Sequence, residues 1–524
     1  MIRQAIRQKT QRGEIASVKA LPAPTGGWIS QENITAGKPN EALILDNIIP
    51  YSDTADLRGG FESFCNTGAT DPVETIMVYN GQDGVTEKFA ACGDTIYDVT
   101  TATASATSIT GVNSTRYQYV NFVNSGSTFV WAANGEDDPV YYNGSAWITA
   151  SITGLTGLSP SDIISPNVFK GRIYCAFKNS MKFGYLATGA IQGAMSTFEL
   201  GAEFSKGGYL MAMATWTRDG GSGVDDFAVF LTSEGQVAVY QGSDPSDPDN
   251  WAKVGIYNLP RPIGRRCTIE VASDVFIVTE SGLIPLSKSL NVGAAATEGV
   301  AVSDNIKTAM NRAARLYRGN FGWQVQDYPK GTLAVMNVPL SEGEQSHQYV
   351  MNTVTGSWCR FTGMNAICWA LAGGNLYFGG ADGVVYLYDD NGSDNGGDIL
   401  ADYKSCFSYF GESARNKHWK QVQPILYADD DLTPSIGLNV DFEDGLPSST
   451  PIAGQSSAIY LGYFDLGDEV LPSSVAIRKN WASVEAPVGR AAAVRMRLAY
   501  AGETATPTMQ IMGVNVMFER GAIG

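Results

Sequence analysis

Two short phrases recur along this chain and alternate with each other. The first is an aromatic strand that ends in a Gly turn and a Trp, as in Val140-Tyr141-Tyr142-Asn143-Gly144-Ser145-Ala146-Trp147. The second is a polar Gly turn followed by a return strand, roughly 20 to 30 residues further on. It reads Gly171-Arg172-Ile173-Tyr174 in one copy and Gly374-Asn375-Leu376-Tyr377 in another, and Asp274-Val275-Phe276-Ile277-Val278 answers it between them. The Trp residues that close the first phrase, Trp147, Trp251 and Trp358, stand about 105 residues apart, two units of a repeat near 50. A radial array of four-stranded sheets has that period. The expected fold is therefore all-β, a β-propeller.

Gly turns between strand pairs support this reading. Pairs are legible from Phe227 to Tyr240 around Ser233-Glu234-Gly235, from Val275 to Leu286 around Glu280-Ser281-Gly282, and from Leu376 to Tyr388 around Ala381-Asp382-Gly383. Residues 61–400 at about 50 per blade give six or seven blades, and six is expected. One short helix interrupts the pattern. Ser303-Asp304-Asn305 can cap it, Ile306, Met310, Ala313 or Ala314 and Tyr317 recur at helical spacing, and Arg312, Arg315 and Arg318 fall near its end, on a solvated face first and at a subunit or phosphate contact as the minority reading.

The remainder divides by composition. Residues 1–20 form a basic N-terminal arm, with Arg3, Arg7, Lys9, Arg12 and Lys19 against Glu14. It reads either as a frayed terminus or as an arm that docks on a neighbouring subunit. Residues 21–60 are a Pro- and Gly-rich lead-in whose apolar middle, Ala42 to Leu45, is expected to pack on the first sheet. After the linker-like run from Asn391 to Gly397, residues 401–524 read as a further β unit, a sandwich or strands that complete the ring.

At 524 residues the chain exceeds one ordinary core, and 58 Gly with only 17% charged residues suit many tight turns. Net charge is −17, so the body is anionic while the first 20 residues are cationic. An acidic body repels phosphates, which argues against a conventional DNA-binding protein but not against a conduit through which DNA slides. The seven cysteines are scattered without a C-x-x-C pair and read as buried free thiols of a protein made in a reducing cytosol. No apolar run reaches the length of a membrane span, and no secretory signal is legible.

Chemistry leaves little trace. The two histidines, His347 and His418, have no partner motif, and neither a G-x-S-x-G elbow nor a phosphate loop occurs. The runs Asp244 to Asp249 and Asp429-Asp430-Asp431 read as turns and solvated loops rather than cation sites. No catalytic, cofactor or metal residues are expected. A glycan-active propeller (glycosidase or depolymerase) is the enzymatic alternative; it needs paired carboxylates facing one cavity, and 53 acidic residues single out no pair. A propeller interaction platform is the third reading.

Several stretches taken together resemble one family. Gly26-Gly27-Trp28, Ala42 to Asn47 and Leu57-Arg58-Gly59-Gly60 look like the opening of tail tubular or nozzle-type proteins of short-tailed, podovirus-like bacteriophages. Tyr240 to Pro245, Gly255-Ile256-Tyr257, Pro262 to Cys267 and Ser281 to Leu286 are similar to their central region, and Tyr349 to Asn352, Gly356-Ser357-Trp358 and Leu376 to Gly379 continue the likeness. The resemblance implies a structural virion protein: a homohexameric ring at the distal end of a short tail. Such a ring passes double-stranded DNA without binding it specifically, carries fibres or spikes, and sits below a tail adaptor. It implies assembly in the host cytoplasm, no enzyme activity and no cofactor. On that reading Arg3, Arg7, Lys9 and Arg12 contact the adaptor or a neighbouring subunit.

Overall fold

Trp147, Trp251 and Trp358 each open the fourth strand of a blade, Trp147–Thr149, Trp251–Asn258 and Trp358–Phe361. In this computed structural model those sheets are alternate members of a circular series, which is why the spacing measures two repeats. The second phrase falls in the sheets between, where it starts the second strands Arg172–Phe177, Asp274–Thr279 and Asn375–Gly379. The structure describes residues 16–30, 35, 37–219, 224–271, 274–289, 300–389, 391–428, 434–447, 476–478, 481–484, 488–502 and 509–523.

Among these residues, seven sheets follow one another around an axis, and the fold is a β-propeller. Their innermost strands are Val73–Asn80, Gln118–Asn124, Ile163–Phe169, Leu210–Asp219, Thr268–Val271, Gln324–Tyr328 and Cys368–Ala372. Each packs against the next and the last against the first. The count corrects the six expected from length. Two economies make room for the extra blade. The fifth has three strands, Thr268–Val271, Asp274–Thr279 and Gly282–Pro285, and the seventh borrows its outer strand from the start of the propeller. That borrowed strand, Phe61–Asn66, pairs antiparallel with Val384–Tyr388, and Phe61 packs edge-on against Phe378 and Tyr386 at 5.1 and 5.3 Å. Closure thus ties residues far apart in sequence, as the absence of free inner edges in a closed array requires.

The Trp phrase has a packing cause. Trp147 meets Phe89 of the preceding blade at 5.1 Å, and Trp251 stacks on Tyr240 of its own blade and on Tyr174 of the blade before it. A large ring at the start of an outer strand covers the neighbouring sheet, and such aromatic pairs contribute about 0.5–1.5 kcal/mol beyond the area they bury.

The sixth blade does not stop at its fourth strand. Glu41–Asp46 joins Trp358–Phe361 in parallel at Asp46 and Arg360, and it pairs on its other side with Ile399–Ser405. Ala492–Tyr500 and Ser435–Val440 follow, while Gly27–Trp28 runs beside Glu41, so the sheet has nine strands. The lead-in therefore pairs with the sixth blade and the C-terminal strands rather than with the first sheet. A seven-stranded sheet built on Arg415–Ala428 and Met509–Ile523 also takes in Ser17–Pro22, Ile48–Pro50 and Ala55–Leu57. Trp419, Val422, Val516 and Phe518 from this sheet share one apolar cluster with Leu45, Tyr403, Val494 and Met496 from the nine-stranded one.

A buried polar hub holds the joint. Arg58 is fully enclosed and donates through Nη1 and Nη2 to both carboxylate oxygens of Asp394 at 2.8 and 2.7 Å, through Nε to Asn47 Oδ1 and through Nη2 to the Thr362 carbonyl. Asn47, at φ 60°, donates through Nδ2 to the Thr362 and Leu400 carbonyls. Gly60 has no room for a side chain, because a Cβ there would lie 2.0 Å from the Ser393 carbonyl oxygen. The run 391–397, read from its composition as a linker, is in its described part a packed joint. Between blades five and six lies the expected helix, Lys307–Tyr317, preceded by a 3-10 turn, Asp304–Ile306; Leu286–Ser289 adds one further helical turn.

Candidate functional site

Innermost strands of a propeller turn alternate side chains toward the axis. Here Thr75, Tyr119, Asn167, Thr268, Gln324 and Gln326 are among those lining an axial cavity of 370 Å³. Two carboxylates share that wall on adjacent blades, Glu270 and Asp327, and desolvation pushes both above the ordinary carboxylate range.

The larger space, 640 Å³, opens at the mouth where the innermost strands begin. Its walls come from the segments that lead into those strands, which is where a propeller collects residues from several blades. Four arginines (Arg116, Arg265, Arg266, Arg318) and two glutamates (Glu74, Glu136) line it, together with Asn113, Asn134 and Asn320. In a chain with 53 acidic and 36 basic residues this is a local inversion of charge.

The charges are not equally engaged. Arg116 bonds Glu74 at 2.9 Å and Glu342 at 2.7 Å, and the Thr115 hydroxyl also donates to Glu74. Arg318 pairs with Glu280, and Glu136 with Lys178. Arg265 donates to the Asn134 carbonyl at 3.2 Å, and Arg266 to Thr75 Oγ1 at 2.7 Å and the Tyr117 carbonyl at 2.9 Å. Among the described residues no carboxylate forms an ion pair with either. Desolvation lowers both guanidinium pKa values, against the opposing pull of Glu136 on Arg265 and of Glu74 on Arg266. Phe321 lies between two guanidinium groups, 4.5 Å from Arg116 and 4.9 Å from Arg266. It braces Arg266 over the mouth by cation–π attraction.

The residues singled out from sequence are scattered. Arg3, Arg7, Lys9 and Arg12 lie outside the described residues, as does Asp429-Asp430-Asp431. Arg312, Arg315 and Arg318 are exposed on the helix end as expected, and Arg318 reaches the axial mouth. Asp244 accepts from Arg172 at 2.7 Å and from Ser246, a turn held by its own loop. His347 stacks on Tyr349 at 5.0 Å beneath the helix, far along the fold from His418 in the seven-stranded sheet. All seven cysteines are buried and unpaired in disulfides. Sequence reading passed over Arg265 and Arg266 as chemistry; the available signal was an Arg-Arg pair just after a Pro-Ile-Gly turn in a chain poor in charge.

No family model matches the chain, and no curated protein sequence does. Among solved structures it is similar to BBS1N, from the crystal structure of its complex with ARL6DN soaked with mercury, at 10% identity and a TM-score of 0.39 over 63% of this chain and 98% of that one. It is also similar to Chaetomium thermophilum Raptor, at 10% identity and a TM-score of 0.41 over 63% of this chain and 29% of that one. No helix among the described residues is long and apolar enough to cross a membrane.

Proposed function

We propose that this chain is a structural protein of a short bacteriophage tail, a nozzle-type subunit that closes with its copies into a distal ring, hexameric by family likeness. The ring passes double-stranded DNA, meets a tail adaptor on one side and carries fibres or spikes. The subunit belongs to the virion after assembly in the host cytoplasm and catalyses no reaction. One observation supports this most. The sixth blade joins the second β unit within one nine-stranded sheet through the Asp46 and Arg360 pair, so the propeller and the unit built from both chain ends are hydrogen-bonded together. A part that must transmit load from an adaptor to a fibre needs such continuity, and a hinged pair of domains would not supply it.

Mass photometry and negative-stain microscopy of the purified chain, alone and mixed with a tail adaptor complex, test the reading. A ring of about six copies with a central channel, in a cyclic assembly as identical subunits form, is the expected result. A persistent monomer in both conditions would remove it. A second reading, the glycan-active propeller, draws on Glu270 and Asp327 lining one axial cavity. Its test is release of reducing ends from host surface glycans, lost on Glu270→Gln and Asp327→Asn.

A further inference from the structure

We propose that the axial mouth is a binding site for a small phosphate-type oxyanion, held by Arg265 and Arg266. The assignment is independent of whether the chain forms a tail ring, because every residue it uses comes from one subunit.

Two observations carry it. First, Arg265 and Arg266 face the same 640 Å³ cavity, and neither forms an ion pair, whereas the other two arginines of the cavity are matched by Glu74, Glu342 and Glu280. Desolvation makes a guanidinium without an ion pair costly, and an anion that accepts from both adds to the partial relief they draw from Glu136 and Glu74 across the cavity. Second, the pair is held in place before any ligand arrives. Arg266 is fixed by Thr75 Oγ1, the Tyr117 carbonyl and the face of Phe321. Arg265 lies over the turn at Gly135, where a Cβ would come within 3.2 Å of its Nη1 and 2.7 Å of Ile164. A tetrahedral oxyanion can accept from both guanidinium groups at once, whereas a carboxylate presents two oxygens in one plane.

Size selects the source of the phosphate. A cavity of 640 Å³ has the volume of a small-ligand site, room for a free phosphate or a phosphate monoester and too little for a nucleic-acid duplex.

The test is calorimetric titration of the full chain with inorganic phosphate in a phosphate-free buffer, with sodium chloride of matched ionic strength as control and a short DNA duplex as competitor. Saturable binding of phosphate is expected, with no heat from chloride and no displacement by the duplex. Arg265→Gln should weaken binding at least about tenfold. Its thermal midpoint without phosphate should stay near that of the parent, since Arg265 makes one hydrogen bond to the fold. Arg265→Lys, which keeps the charge but loses the planar fork, should fall between them. Absence of saturable binding, or equal affinity in the parent and Arg265→Gln, would overturn the site. Displacement by the duplex would overturn its assignment to a small ligand.

Discussion

His347 shows how one side chain can set an acid limit on stability. Its ring stacks on Tyr349 beneath the helix, Nε2 is enclosed without a hydrogen-bond partner, and the Arg360 guanidinium stands nearby. Burial first, and that guanidinium second, push its pKa down to about 4. In the unfolded chain a histidine titrates near 6.5. Between those values the unfolded state therefore binds more protons than the folded state, so stability rises with pH across this window. The sign is fixed: the contribution is complete above pH 6.5, shrinks as pH falls toward 4, and is gone below. The full loss is on the order of 3 kcal/mol. His347→Gln removes the titrating group, so urea unfolding followed from pH 7 to pH 4 should show a shallower fall for the variant than for the parent. Parallel curves would mean that His347 accepts a proton in the folded state.

At the scale of elements, the seam around Arg58 decides whether the two β units behave as one. Four segments meet there: Asn47 and Arg58 at the two ends of the Ile48–Pro50 and Ala55–Leu57 pair, the end of the sixth blade at Thr362, the joint at Asp394, and the strand Ile399–Ser405 through Leu400. Removing one partner of an enclosed, doubly bonded ion pair leaves the other charge uncompensated, at a cost of about 3–5 kcal/mol. Arg58→Met should lower stability by that amount in urea unfolding. Adding Asp394→Leu should recover part of it, because the stranded carboxylate is then gone. A loss below about 1 kcal/mol for Arg58→Met would show that water relieves Asp394 and that the seam is looser than its geometry. This seam also marks where sequence stops being legible. The Trp phrases and Gly turns are local, set by an aromatic covering the adjacent sheet and by turns between neighbouring strands, and they locate blades two to seven closely. Arg58 to Asp394 and Phe61 to Tyr388 are contacts across most of the chain, which no periodicity encodes. The same limit explains the blade count, since a seventh blade that takes its outer strand from residues 61–66 looks one strand short in sequence. It explains the axial mouth as well: Glu74, Arg116, Arg266 and Phe321 are each unremarkable in their own stretch and become a site only when the propeller closes.

For the whole molecule, the dominant quantity is charge. Copies carrying −17 repel as they approach, while the basic residues Arg3, Arg7, Lys9 and Arg12 offer each copy a short cationic segment for an acidic neighbour. The two effects respond to salt in the same measurable way once the arm is removed. Screening shortens the reach of these forces from about 30 Å at 0.01 M to about 3 Å at 1 M. In the tail ring proposed above, deleting residues 1–15 takes away the attraction and raises the repulsion together. The truncated chain should then lag the full chain most at about 0.01–0.05 M salt, and the difference should close as salt approaches about 0.5–1 M. Mass photometry across that series reads the ring fraction directly. A gap of constant size at every salt concentration would place the arm's contribution in apolar contacts of Ile2, Ala5 and Ile6 rather than in its charge. No gap at all would remove the arm from the interface.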